Sequence, residues 1–180
     1  MSEETARDMQ LRVLLAEYDS LKAEQRSRIQ QRDHLVYATL TAVAAVLTVT
    51  VAAGRWELLL LGPLACTVLG WKYVHNDHMI TAQGQYVRGG MAARAAELSG
   101  LNGGAQRLMF GWELERAADR WKASRRRFQL AVTLATFCGP AAAGMVAVWA
   151  LTSRTPLVLA GLVAGAVAVA GLAVQIVRYR

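Results

Sequence analysis

The sequence is poor in the features that mark a disulfide-stabilised or catalytic protein. It has only two cysteines and three prolines in 180 residues. Cys66 and Cys138 are too far apart for metal-ligand spacing, and each lies in an apolar stretch, so we interpret both as small packing residues. Walker phosphate loops, HExxH helices and nucleophile elbows do not occur. We therefore expect neither an enzyme nor a bound cofactor.

Charge is almost missing from four long stretches. They are Leu35–Ala53, Leu58–Val74, Phe128–Leu151 and Leu157–Val177. The first has nineteen residues and would measure ~28 Å as a helix, which matches the hydrocarbon thickness of a bilayer. A soluble helix would carry polar residues every third or fourth position, whereas the fourth stretch has only Gln175. The sequence predicts an all-α integral membrane protein with four transmembrane helices in two hairpins and a helical cytoplasmic layer.

Positive charge is divided unequally among the segments outside these stretches. Eighteen of the twenty Lys and Arg residues lie in residues 1–34, 72–127 and 178–180, and the two short turns hold one each, Arg55 and Arg154. The positive-inside rule places the basic side in the cytoplasm. We predict a multi-pass protein of the inner (plasma) membrane with both termini cytoplasmic. Because membrane insertion explains the net charge of +7, we do not expect nucleic-acid binding.

The chain is thereby divided into five segments. They are a cytoplasmic amphipathic helix (1–34), a first transmembrane hairpin (35–74), a cytoplasmic helical segment (75–127), a second transmembrane hairpin (128–177) and a cytoplasmic tail (178–180). Within the first segment we expect Met1–Asp8 to be irregular. Met9–Asp33 has no glycine or proline and is expected to continue into the first span without a break.

Apolar residues recur at helical spacing on the first segment. The stripe consists of Leu11, Leu14, Tyr18 and Leu21. It permits two interpretations, packing on the central segment of the same chain or a short coiled-coil seam between copies. Polar Gln25 interrupts the seam, which favours packing within the chain.

Glycines divide the central segment into short pieces. We expect the second span to extend as a helix from His75 to Arg88 and to stop near Gly89 and Gly90. Met91–Leu98 should form a turn or two, and a second cytoplasmic helix should begin near Gln106.

A basic cluster precedes the third span. Its members are Arg120, Lys122, Arg125, Arg126 and Arg127. Each is worth about 1 kcal/mol beside anionic lipid headgroups, which are therefore an expected partner. The cluster is also a topology signal, and this simpler role explains most of it.

Small residues are dense in the last two spans. Gly139, Gly144, Gly161 and Gly165 let helix backbones approach closely, either within a four-helix bundle or between subunits. Pro140 is expected to bend the third span because it removes a helical hydrogen bond.

The three histidines are predicted to lie at one level near the cytoplasmic surface. His34 ends the first helix, and His75 and His78 follow the second span. This placement would suit a metal ion or a pH-sensitive contact. Polar residues also occupy helix ends at headgroup level for no functional reason, so we predict no metal site and keep the three histidines only as candidates.

The cytoplasmic residues resemble a family of small bacterial four-span membrane proteins of unassigned function. The matching residues are Glu17, Tyr18, Leu21, Glu24, Arg28 and Arg32, then Trp71, Asn76, Asp77, Ile80, Gly84, Tyr86, Val87 and Arg88, and finally Gly111, Trp112 and Glu113. The plan is also similar to SLATT-like membrane effectors of bacterial defence systems, although these often have two spans. The first resemblance implies a structural polar network of Glu17, Asn76, Asp77, Tyr86, Arg88, Trp112 and Glu113.

These features predict a non-enzymatic membrane protein that self-associates and presents cytoplasmic helices for assembly or to a cytoplasmic protein partner. The alternative is an oligomeric pore-forming or membrane-perturbing effector, which dye uptake on overexpression would reveal. A small-molecule transporter is less favoured, because a polar cavity at mid-depth would have to be built from threonines. These are Thr41, Thr48, Thr67, Thr133 and Thr136.

Overall fold

The computed structural model describes residues 3–99 and 122–179, and every regular element in them is a helix. The elements are α1 (Glu3–Ala53), a 3₁₀-helix (Trp56–Leu60), α2 (Leu61–Tyr86), a π-helix (Val87–Met91), α3 (Ala92–Ser99), α4 (Lys122–Phe137), α5 (Gly139–Leu151) and α6 (Pro156–Arg178). The all-α prediction is confirmed. Four helical stretches are long and apolar enough to cross a membrane: Thr5–Ala53, Trp56–Leu98, Arg126–Leu151 and Pro156–Arg178.

Helix α1 runs without interruption for 51 residues, or ~76 Å. The expected continuation of the N-terminal helix into the first apolar stretch is confirmed. The prediction of an irregular start is wrong from Glu3 onward, because the helix already begins there. An ion pair between Asp8 and Arg12, 3.1 Å apart, has the i,i+4 spacing that favours a helix in this region.

A glycine turn ends α1. Gly54 has φ +63°, a left-handed conformation that costs other residues energy because of their Cβ atom. The second apolar stretch then starts as a 3₁₀-helix at Trp56 and not as an α-helix at Leu58. Pro63 is the third residue of α2, where it breaks no helical hydrogen bond.

Proline interrupts the third apolar stretch, as predicted. Helix α4 ends at Phe137, and α5 begins at Gly139 with Pro140 in its first turn. Cys138 joins the two and keeps its backbone hydrogen bonds to Leu134 and Ala142, at 2.8 and 2.9 Å. The interruption therefore leaves the backbone N–H and C=O groups of Cys138 paired.

The chain forms two compact units. Unit 1 comprises Met1–Gln30 and Asp77–Lys122, and unit 2 comprises Gln31–Asn76 and Ala123–Arg180.

Three layers form the core of unit 2, and each draws side chains from all four apolar stretches. The first layer contains Val46, Leu59, Leu60, Ala147, Val148, Val158 and Leu162. The second contains Val43, Cys66, Cys138, Ala141, Met145 and Val169. The third contains Val36, Leu69, Tyr73, Val74, Leu134, Phe137, Cys138, Leu172 and Ile176. Cys66 and Cys138 are free thiols packed among apolar side chains, as predicted.

Unit 1 has its own small core, which joins α1 to the π-helix and α3. Its buried residues are Leu14, Val87, Met91 and Ala95, with Tyr18 and Leu21 packed against them. The apolar stripe of α1 thus packs on the central segment of the same chain, the interpretation that Gln25 favoured.

The helix does not stop at Gly89 and Gly90, so that prediction is wrong. The chain passes through them as a π-helix and continues as α3. Wider π-turns occur as single insertions in α-helices. This one buries both Val87 and Met91, which are 2% and 0% exposed. A Cβ at Gly90 would lie 3.3 Å from the Tyr86 ring, so glycine suits this position.

Candidate functional site

A hydrogen bond between distant parts of the sequence ties α1 to α2 in unit 1. The Tyr86 hydroxyl donates to Oε1 of Glu17 over 2.8 Å, across 69 positions of sequence. Glu17 lies three residues after the buried Leu14 on α1, and Tyr86 directly precedes the buried Val87. Because Leu14 and Val87 pack in the same core, the two polar groups are brought together. Both residues belong to the network that the family resemblance implied.

This contact changes the acidity of the tyrosine. The hydrogen bond to Glu17, and then the charge of that carboxylate, raise the pKa of the Tyr86 hydroxyl above its ordinary value of 10.0. A group whose pKa is higher in the folded chain than in the unfolded chain stabilises the fold, and this stabilisation is complete below the unfolded-state pKa. The stabilisation is lost as the pH rises through the folded-state pKa. The contact therefore holds at neutral pH and breaks in alkali.

Tyr86 should deprotonate at higher pH in the native chain than in a Glu17→Gln variant, because the amide carries no negative charge. The titration is followed by the ultraviolet absorbance of tyrosinate. The contribution of Tyr86 is obtained by subtracting the titration of the same chain with Tyr86→Phe. Glu24→Gln is the matched control, since Glu24 lies on the same helix and accepts a 2.8 Å bond from Arg28. An identical Tyr86 titration in all three chains would contradict the contact.

The other members of the implied network are more scattered. Asn76 is buried at 3% exposure in unit 2. Asp77 begins the second part of unit 1, where its backbone carbonyl accepts a bond from Thr81. Arg88 lies in the π-helix. Trp112 and Glu113 lie outside the described residues, as does the helix expected from Gln106.

A groove of ≈ 570 Å³ runs along unit 1 between α1 and α3. Its described lining residues are Ala6, Met9, Gln10, Val13, Leu14, Glu17, Arg94, Glu97 and Leu98. Aliphatic side chains make up most of this lining, and one arginine and two glutamates supply the charge. Apart from Glu17 and Leu14, sequence reasoning missed this site. The sequence signal that could have revealed the groove is a second row of apolar residues at helical spacing beside the apolar stripe: Ala6, Met9 and Val13.

Threonine hydroxyls in the apolar stretches mostly bond within their own helices. Thr48, Thr133 and Thr136 each donate to the carbonyl four residues earlier, at 2.7–2.9 Å. Thr39 and Thr50, which are buried, do the same. The hydroxyl of Thr67 is buried with no hydrogen-bond partner among the described residues. Most of the groups proposed for a transporter cavity are therefore satisfied locally.

The packing glycines differ in what surrounds them. A Cβ at Gly161 would lie 2.8 Å from Leu60, and one at Gly165 would lie 3.3 Å from Pro63. Both glycines thus pack within unit 2. Gly144 lies in ordinary contact range of Leu59, 3.6 Å. A Cβ at Gly139 would have nothing within 4 Å among the described residues, so these residues do not give Gly139 its predicted packing role.

Gly70 is a packing glycine that sequence analysis missed. A Cβ there would lie 2.6 Å from Leu172 and 3.2 Å from Phe137.

The remaining candidates are a histidine set and a basic set. His34, His75 and His78 are exposed, and in the described part of the chain no three His, Cys, Asp or Glu side chains are placed to hold a metal ion.

Of the basic cluster, Lys122, Arg125, Arg126 and Arg127 fall in the first turns of α4. Arg126 and Arg127 are exposed. Arg120 lies outside the described residues.

Comparisons with known protein families, with curated proteins and with solved structures find no match to this chain. The family resemblance therefore stays a prediction, and the function of this chain has to be inferred from its sequence and structure.

Proposed function

We propose that this chain is a non-enzymatic membrane protein that crosses the bilayer four times. The supporting observation is how little of each apolar helix the protein covers: only 11–22% of the most apolar windows is buried inside the chain. Leu157 is 83% exposed and Val51 is 70% exposed. Water would oppose so continuous an apolar surface, whereas lipid hydrocarbon solvates it.

The three core layers support an arrangement of two antiparallel hairpins. From the first layer to the third, residue numbers fall along α1, from Val46 to Val36, and rise along the next stretch, from Leu59 to Tyr73. They fall again from Val148 to Phe137, and they rise along α6. This alternation is the pattern of an up-down-up-down bundle.

Aromatic residues support the same placement in a membrane. Trp56 and Trp149 are half-exposed next to the first layer, and Tyr37 and Tyr179 are exposed next to the third. Tryptophan and tyrosine favour the two membrane–water interfaces. Arg154 stacks on the Trp149 ring, 4.4 Å from its centroid, which gives the charge of the short turn a local partner. We propose that the first layer is external and that both termini are cytoplasmic.

The topology is tested by labelling single cysteines in a chain whose Cys66 and Cys138 are replaced by alanine. A membrane-impermeant maleimide added outside intact cells should label Arg55→Cys and Arg154→Cys. Arg12 is exposed on α1, which we place on the cytoplasmic side. The reagent should therefore label Arg12→Cys only after the membrane has been made permeable to it.

The reverse pattern, with Arg12→Cys labelled in intact cells, would overturn the orientation. Purification of the native chain as a monodisperse water-soluble particle would overturn the membrane assignment itself.

The proposed role is self-association and display of unit 1 at the cytoplasmic surface, for assembly or to a cytoplasmic protein partner. Arg126 and Arg127, exposed at the start of α4, would lie at anionic headgroups. The oligomeric effector is the competing proposal. Local bonding of the threonine hydroxyls supports the first role, because it commits these groups to their own helices instead of a pore lining.

A further inference from the structure

We infer that the groove of unit 1 is the contact surface for a second copy of this chain. This inference rests on the proposed self-association and names the surface that performs it. The surface is the Met9–Val13 face, defined as Ala6, Met9, Gln10 and Val13 of α1 together with Arg94 and Glu97 of α3.

Most of the apolar stripe of α1 is already packed in the core of unit 1. Leu14 is 7% exposed, and Tyr18 and Leu21 pack against the same core. The stripe that sequence analysis offered for self-association is therefore not accessible to a second copy. The adjacent face remains open, since Met9 is 56% exposed and Val13 is 63% exposed. Apolar side chains that line an open groove gain by burial against another apolar surface.

The charges of the groove are complementary to those of a second copy. The groove contains both signs of charge, with exposed Arg94 and Glu97 three residues apart on α3. In a twofold interface the same patch meets itself, so contacts between two different residues occur in reciprocal pairs. A patch of one sign would repel its own copy. Here Arg94 of each copy can face Glu97 of the other, so the two copies attract at these positions.

A shared membrane restricts how two copies can meet. Copies inserted with the same orientation are related by an axis along the membrane normal, so equivalent residues lie at equal depth. Arg94 and Glu97 are separated by only ~4.5 Å along their helix, which keeps the reciprocal pairs within side-chain reach. We place Val13, which is exposed in the groove, next to this axis, where a residue meets its own equivalent in the second copy.

The test compares Val13→Glu with Leu15→Glu in lipid nanodiscs, with subunit number read by native mass spectrometry. Leu15 is a matched control: it is 58% exposed on the same helix but lies about 200° around it from Val13 and outside the groove. Val13→Glu should weaken self-association on the order of tenfold or more, because each interface would bury an unpaired charge. Leu15→Glu should associate like the native chain.

A second measurement covers the case in which Val13→Glu fails to fold. In the chain with Cys66 and Cys138 replaced by alanine, Val13→Cys should form a disulfide-linked dimer on mild oxidation, and Leu15→Cys should not. If Val13→Glu associates as well as the native chain, or if both cysteines cross-link equally, the surface is wrong while self-association stands. A native chain that is monomeric, or bound only to a different protein, overturns this inference and the proposed self-association together.

Discussion

Replacement of Phe137 by alanine should destabilise unit 2 by about 2–3 kcal/mol, among the largest single-residue effects we expect. Phe137 is 1% exposed and packs with Leu172 and Ile176 in the third core layer. Its ring centroid lies 5.0 Å from that of Tyr73. Alanine would leave a cavity among these side chains. For the membrane protein proposed above, the expected loss is below the roughly 3–5 kcal/mol typical of water-soluble cores, because phenylalanine in the unfolded chain would already contact lipid or detergent.

The loss is measured as the free energy of unfolding in detergent micelles, followed by circular dichroism. Phe128→Ala provides the comparison, since Phe128 lies on the same helix α4 but is 71% exposed. It removes the same atoms without opening a cavity inside the protein, so its stability should stay near that of the native chain. Equal losses in the two variants would mean that Phe137 does not pack in the core of unit 2.

Replacement of Gly70 by leucine should cost about 2–3 kcal/mol by overpacking. The first atom of the new side chain alone would lie 2.6 Å from Leu172 and 3.2 Å from Phe137. Both neighbours are nearly fully buried, at 2% and 1% exposure, so neither side chain can move aside cheaply. Glycine at this position thus permits the close approach of α2 to α4 and α6.

Gly171→Leu is the control for this substitution. Gly171 precedes Leu172 on α6, and a Cβ there would meet nothing within 4 Å in the described part of the chain. Leucine is a better helix former than glycine by about 0.8 kcal/mol, so this variant should unfold at equal or higher denaturant concentration than the native chain. A Gly70→Leu variant as stable as Gly171→Leu would show that α2 does not closely approach α4 and α6 at Gly70.

Hydropathy and length let the sequence predict the helices because these properties are local. The apolar stretches contain enough residues to form long helices, and the absence of glycine and proline from Met9 to Ala53 explains why α1 is continuous. Pro140 lacks a backbone N–H wherever it is placed, so the break at Cys138 was predictable. The predicted helix end at Gly89 and Gly90 is wrong because glycine permits many backbone conformations. Contacts of the neighbouring Tyr86 and Val87 select the helical one here.

The sequence by itself determined that the chain is helical, which segments are apolar enough to cross a bilayer and how its charge is distributed. Only the tertiary structure decided which helix faces meet: Tyr86 with Glu17, Gly70 with Leu172, and the leucine stripe of α1 with the π-helix. The physical reason is that helix rotation leaves little trace in an apolar sequence. A soluble helix reveals its buried face by an alternation of polar and apolar residues, whereas a helix suited to lipid is apolar all round. Steric fit between residues far apart in sequence then selects the contact face, and the groove beside Met9 and Val13 is the surface that this fit leaves open.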